Sequence, residues 1–182
     1  MYRWLLALLL LMTAVPAALA QEARTFAEKG FGYTLAYPGT WSADRPGDFA
    51  LVLRPPAELA GGPVAVSIEN VRQPDDGGVM GGIDALAERY LAEVRDRATQ
   101  IEIHRQAPFR WDAGGSTVLI GQQIVADFTR DGLPYRQWAV FLPSPLGPVA
   151  HVWLFTAPQS LFTEWRTAAE DILRSLRPLP AQ

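Results

Sequence analysis

The sequence predicts an α+β fold in which a mainly antiparallel sheet of six or seven strands is flanked by helices. Extended apolar segments occupy much of residues 31–156, two segments have helical periodicity, and the strands follow one another without strict βαβ alternation. The longest predicted strand is apolar on both faces, which favours a sheet that is covered on both sides. We therefore expect an α/β/α sandwich.

The first half of the fold is predicted to hold three strands, at residues 31–37, 49–53 and 64–71. Tyr37-Pro38-Gly39-Thr40 is typical of a type II turn with Pro second and Gly third. Residues 55–63, rich in Pro and Gly, are predicted to form a loop.

The segment that follows is predicted to be a glycine-rich linker over residues 74–82 and then a helix over residues 83–98. One face of this helix is apolar, and it is formed by Leu86, Ala87, Tyr90, Leu91, Val94 and Ala98. The opposite face is charged, as expected for a surface exposed to solvent.

The second half is predicted to hold four strands, at residues 101–110, 117–129, 135–142 and 149–156. A turn is expected over residues 112–116. The pair Asp131-Gly132 is a strong signal for a tight hairpin.

The chain is predicted to close with a helix that starts at a cap between Thr156 and Ser160 and ends at Arg177, before Pro178. Its apolar stripe consists of Leu161, Trp165, Ala168, Ile172 and Leu176.

The N-terminus has the pattern of a secretory signal peptide over residues 1–20. Arg3 precedes an apolar run over residues 4–12, and Ala18-Leu19-Ala20 has the small-x-small form of a cleavage site. We expect cleavage after Ala20, a single domain over residues 21–182, and a periplasmic or secreted protein. The alternative is an uncleaved anchor, although the apolar run is much shorter than a bilayer-spanning helix.

Composition excludes several classes of protein. The chain has no cysteine, which rules out a disulfide framework, a thiol nucleophile, thiolate metal sites and a lipoprotein anchor. With 15 basic and 19 acidic residues left after removal of the signal, the mature net charge is −4. A nucleic-acid partner is therefore not expected.

Residues 30–41, which read Gly-Phe-Gly-Tyr-Thr-Leu-Ala-Tyr-Pro-Gly-Thr-Trp, resemble the opening of the superfamily that includes PsbP, DcrB and the Ran-binding Mog-type proteins. The later order of helix, long hairpin and closing helix is also similar. The resemblance implies an α/β/α sandwich and an accessory or partner-binding role rather than an enzyme. The lipoprotein cysteine of the DcrB-like branch is absent, and no metal ligand of the photosynthetic branch matches. Tyr37-Pro38 and Trp41 are expected to turn the chain and fill one end of the core.

No catalytic motif stands out, and we expect no cofactor or metal. His151 shares a strand face with large apolar residues, which favours a packed, hydrogen-bonded imidazole. His104 shares a face with Glu102 and is expected near a sheet edge. A zinc site would need a third ligand such as Asp127 or Asp131, and the spacing matches no zinc motif. The competing enzyme hypothesis requires His151 to meet Asp127 or Asp131 in a cleft.

The tryptophans include a candidate residue for contact with a protein partner. Four of them fall in apolar patterns and are expected in the core: Trp41, Trp138, Trp153 and Trp165. Trp111 lies beside a turn with Arg110 next to it, and an exposed Trp with an Arg neighbour is typical of an interface hot spot. The sequence favours the other interpretation, in which Trp111 caps one end of the sheet.

These observations predict an exported, non-catalytic accessory or protein-binding domain of the cell envelope, with another envelope protein as its partner. The alternative function is small-molecule binding in a pocket between sheet and helix, lined by residues such as Tyr90 and Trp165.

Overall fold

The computed structural model describes residues 22–56, 62–73, 78–114, 117–145 and 147–179. These residues form strands and two helices, numbered here in chain order. The strands are β1 (Ala23–Glu28), β2 (Tyr33–Pro38), β3 (Ser42–Asp44), β4 (Ala50–Arg54), β5 (Ala65–Arg72), β6 (Thr99–Gly114), β7 (Thr117–Arg130), β8 (Leu133–Pro143), β9 (Val149–Pro158) and β10 (Arg177–Pro178). The helices are α1 (Gly78–Arg97) and α2 (Gln159–Ser175). Neither helix is long and apolar enough to cross a membrane.

A seven-stranded antiparallel sheet is the centre of the fold, with the strand order β3-β4-β5-β9-β8-β7-β6. α1 packs on one face, against β7 and β8, while α2 packs on the other face, against β8 and β9. A three-stranded sheet with the order β1-β2-β10 lies on the same side as α2. The predicted sandwich is therefore confirmed.

The two faces of the sheet bury separate cores, and the alternation along β7 shows why. Ile124 and Ala126 belong to the core under α1, whereas Leu119 and Val125 pack against the larger core under α2. This division was predicted from the apolar residues on both faces of the strand. Trp41, Trp138 and Trp153 are buried in the larger core, as predicted.

The hairpin between β7 and β8 is also confirmed. Asp131 and Gly132 form the turn, and both have a left-handed backbone, with φ of 53° and 77°. Two successive positive φ angles define the hairpin turn that Asp-Gly pairs favour.

The N-terminal part differs from the prediction in two ways. The strand β1 was not predicted, because its side chains are mostly exposed and carry no apolar alternation. The turn after β2 is shifted by one residue: the amide of Trp41 donates to the carbonyl of Pro38 at 2.9 Å, so Pro38 is first rather than second. Gly39 donates to the Glu22 carbonyl, and a Cβ there would lie 2.3 Å from that oxygen. Close backbone approach, rather than a positive φ, therefore explains this glycine.

Both helices have boundaries that the sequence placed wrongly. α1 begins at Gly78, so the predicted linker is helical from that residue on, and residues 74–77 lie outside the described part. α2 begins after Pro158 with no side-chain cap and ends at Ser175. Residues Arg177 and Pro178 leave the helix because they pair with β2. The buried face of α2 is also rotated from the predicted stripe, and its fully buried members are Phe162, Ala169, Ile172 and Leu173.

Parts of two predicted loops lie outside the described residues: 57–61 in the loop between β4 and β5, and 115–116 in the turn between β6 and β7.

Candidate functional site

Trp111 does not lie on the surface. Its side chain is 3% exposed, and its indole nitrogen donates to the carbonyl oxygen of Leu176 at 3.3 Å. The hypothesis of an exposed tryptophan is therefore wrong, and the interpretation that the sequence favoured, a residue that caps the end of the sheet, describes its position. Arg110 is exposed, and a contact between Arg110 and a partner stays a prediction.

A groove nevertheless opens over Trp111, between the end of β6 and the last turns of α2. It has a volume of about 420 Å³. Aromatic side chains and arginines dominate its walls, which consist of Phe109, Arg110, Trp111, Asp112, Trp138, Glu170, Leu173, Arg174 and Arg177. We call it the arginine groove.

The charges of the arginine groove do not cancel. Arg174 is paired with Glu170, and Arg177 donates to the carbonyls of Arg174 and Leu176 at the end of α2, where a positive charge is favourable. Arg110 forms no ion pair with any residue in the described part of the chain. Arg166 adds another cation nearby, 5.9 Å from the centre of the Trp138 ring.

A second polar cluster joins the edge strand β6 to β7 and β8. Arg136 donates two hydrogen bonds to the carboxylate of Asp127, at 2.6 and 2.7 Å, and His104 Nε2 lies 2.7 Å from the same carboxylate. Glu102 lies 3.6 Å from the other nitrogen of His104. Burial acts to raise the pKa of Asp127, but Arg136 and His104 outweigh it, so the pKa lies below its usual value. An ionised carboxylate held by two partners is suited to fastening strands together rather than to accepting a proton.

His151 is separate from this cluster, and its position excludes a catalytic pairing of His151 with Asp127 or Asp131. His151 lies on β9 opposite Leu142 of β8. Asp127 of β7 lies opposite Arg136 of β8, and Arg136 lies opposite Ala157 of β9, so Asp127 is level with Ala157. The six residues from His151 to Ala157 correspond to about 20 Å along the strand. Asp131 lies in the exposed hairpin turn beyond Asp127. The predicted meeting of His151 with either carboxylate is therefore wrong.

As predicted, His151 is a packed, hydrogen-bonded imidazole. It is fully buried, and Nδ1 lies 2.9 Å from Oδ1 of Asn70. Burial lowers its pKa to about 4. Within the described ranges, no three His, Asp or Glu side chains are grouped so as to hold a metal ion.

Tyr90 and Trp165, which were predicted to line one pocket, line two clefts on opposite faces of the sheet. Tyr90 lies in a cleft of about 350 Å³ between α1 and the sheet, which we call the α1 cleft. Trp165 lies in a more apolar cleft of about 530 Å³ between α2 and the β1–β2 hairpin. The space between the sheet and the helices is therefore not completely filled.

Comparison with known proteins rests on structure. No protein-family profile matches the sequence, and no curated protein is similar to it in sequence. The solution structure of PsbP from the cyanobacterium Synechocystis is similar over 92% of this chain and 98% of its own, with a TM-score of 0.64 and 10% identity. The Ran-binding protein Mog1p of Saccharomyces cerevisiae is similar over 88% of this chain and 97% of its own, with a TM-score of 0.55 and 9% identity. This chain has the PsbP/Mog-type fold.

A further structure with the PsbP/Mog-type fold is LpqN of Mycobacterium tuberculosis, described as involved in cell envelope biogenesis. It is similar over 87% of this chain and 91% of its own, with a TM-score of 0.50 and 12% identity. At these identities the likeness concerns the fold, which agrees with the resemblance of the strand and turn at residues 30–41.

Sequence reasoning identified Trp111 and Arg110 but missed the rest of the arginine groove. Arg174 and Arg177 are 64 and 67 positions from Arg110 in the chain, and their proximity arises only when α2 packs over the end of β6. The one signal in the sequence was the concentration of basic residues at the end of the last helix, at Arg174 and Arg177.

Proposed function

We propose that this chain is an exported, non-catalytic accessory protein of the cell envelope that binds an acidic segment of another envelope protein in the arginine groove. The observation that carries this proposal is the composition of the groove, in which a floor of Phe109, Trp111 and Trp138 meets Arg174 and Arg177. Aromatic residues and arginine are the types most enriched among residues that dominate the energy of protein interfaces.

The electrostatics of the groove favour an acidic partner. The mature chain has a net charge of −4, yet the groove holds Arg174 and Arg177 against Glu170. Guanidinium groups bind carboxylates through paired hydrogen bonds, which gives both affinity and orientation. A local excess of positive charge on an acidic protein directs association to one surface.

Three further observations support the proposal. Residues 1–20 have the pattern of a cleaved secretory signal. The fold is shared with a Ran-binding protein and with a protein involved in cell envelope biogenesis. The pKa values of Asp127 and His151 both lie below their usual ranges, and both groups are engaged in structural contacts.

Charge reversal in the arginine groove tests the proposal. We expect the double variant Arg174→Glu/Arg177→Glu to lose the partner captured from envelope extract, with affinity reduced by at least about tenfold, because the new carboxylates repel an acidic segment. The measurement is quantitative mass spectrometry of proteins retained by the immobilised mature chain, at low and high salt.

The matched control is Arg95→Glu, which reverses an exposed arginine on α1, on the opposite side of the sheet. If the groove variant and this control retain the same proteins equally, the proposed binding surface is wrong. The export part has its own readout: the intact mass of the protein in the periplasmic or secreted fraction should correspond to a chain that starts at Gln21.

A further inference from the structure

The α1 cleft has an apolar floor that belongs to the sheet face beside α1. Strands β5, β9, β8 and β7 contribute this floor, which consists of Val71, Val152, Leu154, Phe141 and Phe128. α1 covers β7 and β8 but leaves part of β9 and β5 uncovered, so Leu154 is only partly buried. At about 350 Å³, the cleft is close to the lower end of the volumes typical of small-molecule sites, about 300–1,000 Å³.

The polar side chains in the middle of the cleft are hydrogen-bonded to one another. The hydroxyl of Tyr90 donates to Oε1 of Gln137, and Nε2 of Gln137 donates to the hydroxyl of Thr156. Burial raises the pKa of Tyr90, which keeps the phenol neutral. A ligand therefore meets an apolar, uncharged surface along the centre of the cleft.

The two ends of the cleft carry opposite charges. Arg97, at the end of α1, and Arg130, at the end of β7, both line one end, and neither forms an ion pair with any residue that the structure describes. Glu69 lines the other end, and Glu93 lies between the two ends on α1, one helical turn from Arg97. Across the sheet, Glu69 is in register with Val152, Phe141 and Gln122. Gln122 is eight residues from Arg130 along β7, so Glu69 and Arg130 lie far apart.

The acidic end repels a second negative charge. Burial and the neighbouring Glu93 both raise the pKa of Glu69, which shows that the two carboxylates interact unfavourably when ionised. Glu93 has a partial partner in Arg89, at 4.0 Å, whereas Glu69 has no ion pair within the described ranges. A carboxylate is therefore favoured only at the end that holds Arg97 and Arg130.

We propose that the α1 cleft binds a small amphiphilic carboxylate, with its apolar body on the sheet floor and its carboxylate between Arg97 and Arg130. Both guanidinium groups are exposed and have no carboxylate partner among the described residues, and a bound anion would supply charge-assisted hydrogen bonds to them. This site is independent of the proposed function, because the arginine groove lies on the opposite face of the sheet.

Isothermal titration calorimetry with three ten-carbon probes tests the ligand class: decanoate, decylammonium and decanol. They share an apolar chain and differ in the charge of the head group. We expect decanoate to bind at least about tenfold more tightly than either of the others, since only the carboxylate pairs with the two arginines. Equal affinities for the three probes, or no binding of decanoate, would overturn the proposal.

Two variants locate the site. Arg97→Gln/Arg130→Gln removes both charges and should weaken decanoate binding by at least about tenfold while leaving decanol binding unchanged. Leu154→Trp fills the floor and should weaken both. Arg95→Gln, on the exposed side of α1, is the control and should bind like the wild type.

Circular dichroism checks that each variant is folded, and a second filling variant, Ala98→Phe, replaces Leu154→Trp if that protein is unstable. Decanoate binding that survives both the charge removal and the filling shows that the probe binds elsewhere, and the inference fails. Capture of a protein partner in the arginine groove is unaffected by either outcome.

Discussion

The imidazole of His151 is held where the large sheet meets the β1–β2–β10 sheet. Its ring is 5.0 Å from the ring of Tyr33 in an edge-to-face arrangement, and Asn70 lies opposite it on the neighbouring strand β5. Its second nitrogen, Nε2, has no hydrogen-bond partner among the residues that the structure describes. A neutral imidazole is tolerated there, but a charged one would be buried without a counterion, which costs free energy.

We therefore predict a loss of stability in mild acid that depends on His151. Its pKa is about 4 in the folded chain and about 6.5 in the unfolded chain, so the unfolded state binds the proton first as the pH falls. Stability is complete above pH 6.5 and decreases down to pH 4, by about 3 kcal/mol in total from this group. Urea unfolding of wild type and His151→Gln between pH 7 and pH 4 measures it.

The matched control is His104→Gln, since His104 is partly exposed and contacts Asp127 and Glu102. The acid-dependent loss should become smaller in His151→Gln and persist in His104→Gln. An unchanged pH dependence in His151→Gln would show that burial of this imidazole is not its cause.

The edge strand β6 shows how one element protects the open side of a sheet. It is 16 residues long, and its register with β7 is interrupted at three places. It carries Pro108, the positive φ of Gln100 and a row of exposed charged side chains that includes Glu102, Arg105 and Arg110. Irregular backbone, proline and charges hinder pairing with a strand of another molecule. The contacts of Asp127 with Arg136 and His104 connect this strand to β7 and β8.

The strand β7 depends on one glycine for its approach to β8. A Cβ at Gly121 would lie 2.1 Å from the carbonyl oxygen of Phe141, which is backbone and cannot move aside easily. We predict that Gly121→Ala lowers the free energy of unfolding by about 1–3 kcal/mol, as expected for a substitution that forces packed elements apart. Thermal or urea denaturation measures the change.

Gly47 provides the control, because a Cβ at that position has no atom within 4 Å and its backbone needs no positive φ. Gly47→Ala should leave stability within about 0.5 kcal/mol of the wild type. Similar stabilities for the two variants would contradict the steric explanation.

In the molecule as a whole, two cores of different size lie on the two faces of a single sheet. The larger one joins α2, the β1–β2–β10 sheet and the large sheet, and it contains most of the buried tryptophans. The smaller one lies under α1 and leaves the α1 cleft open beside it. The two proposed binding surfaces therefore lie on opposite faces of the large sheet.

This arrangement predicts a gradient of hydrogen exchange across the large sheet. Amides of β8 and β9 should exchange most slowly, because both strands are paired on each side and most of their side chains are buried. Amides of β3, and the outward-facing amides of β6, should exchange faster, since each of these strands has an open edge. Exchange followed by NMR or mass spectrometry measures it, and uniform protection across the sheet would contradict this view of the fold.

Local patterns were sufficient for much of this fold and for part of the candidate sites. The strands from β4 to β9 and the Asp131-Gly132 turn follow from apolar periodicity and turn chemistry, which act over a few neighbouring residues. The burial of His151 followed from its apolar strand face. The short strands β1, β3 and β10 carry no such pattern, because pairing with distant segments stabilises them.

The amino-acid pattern alone thus established the fold class, the order of most strands, and the absence of thiol chemistry. It could not establish which side chains meet, because proximity across a sheet depends on register and on how the helices pack. His104, Asp127 and Arg136 come together through the pairing of β6, β7 and β8, and Trp111 meets the end of α2 only where this helix crosses the end of β6. The sequence favoured a capping role for Trp111, but its hydrogen bond to the Leu176 carbonyl depends on this packing.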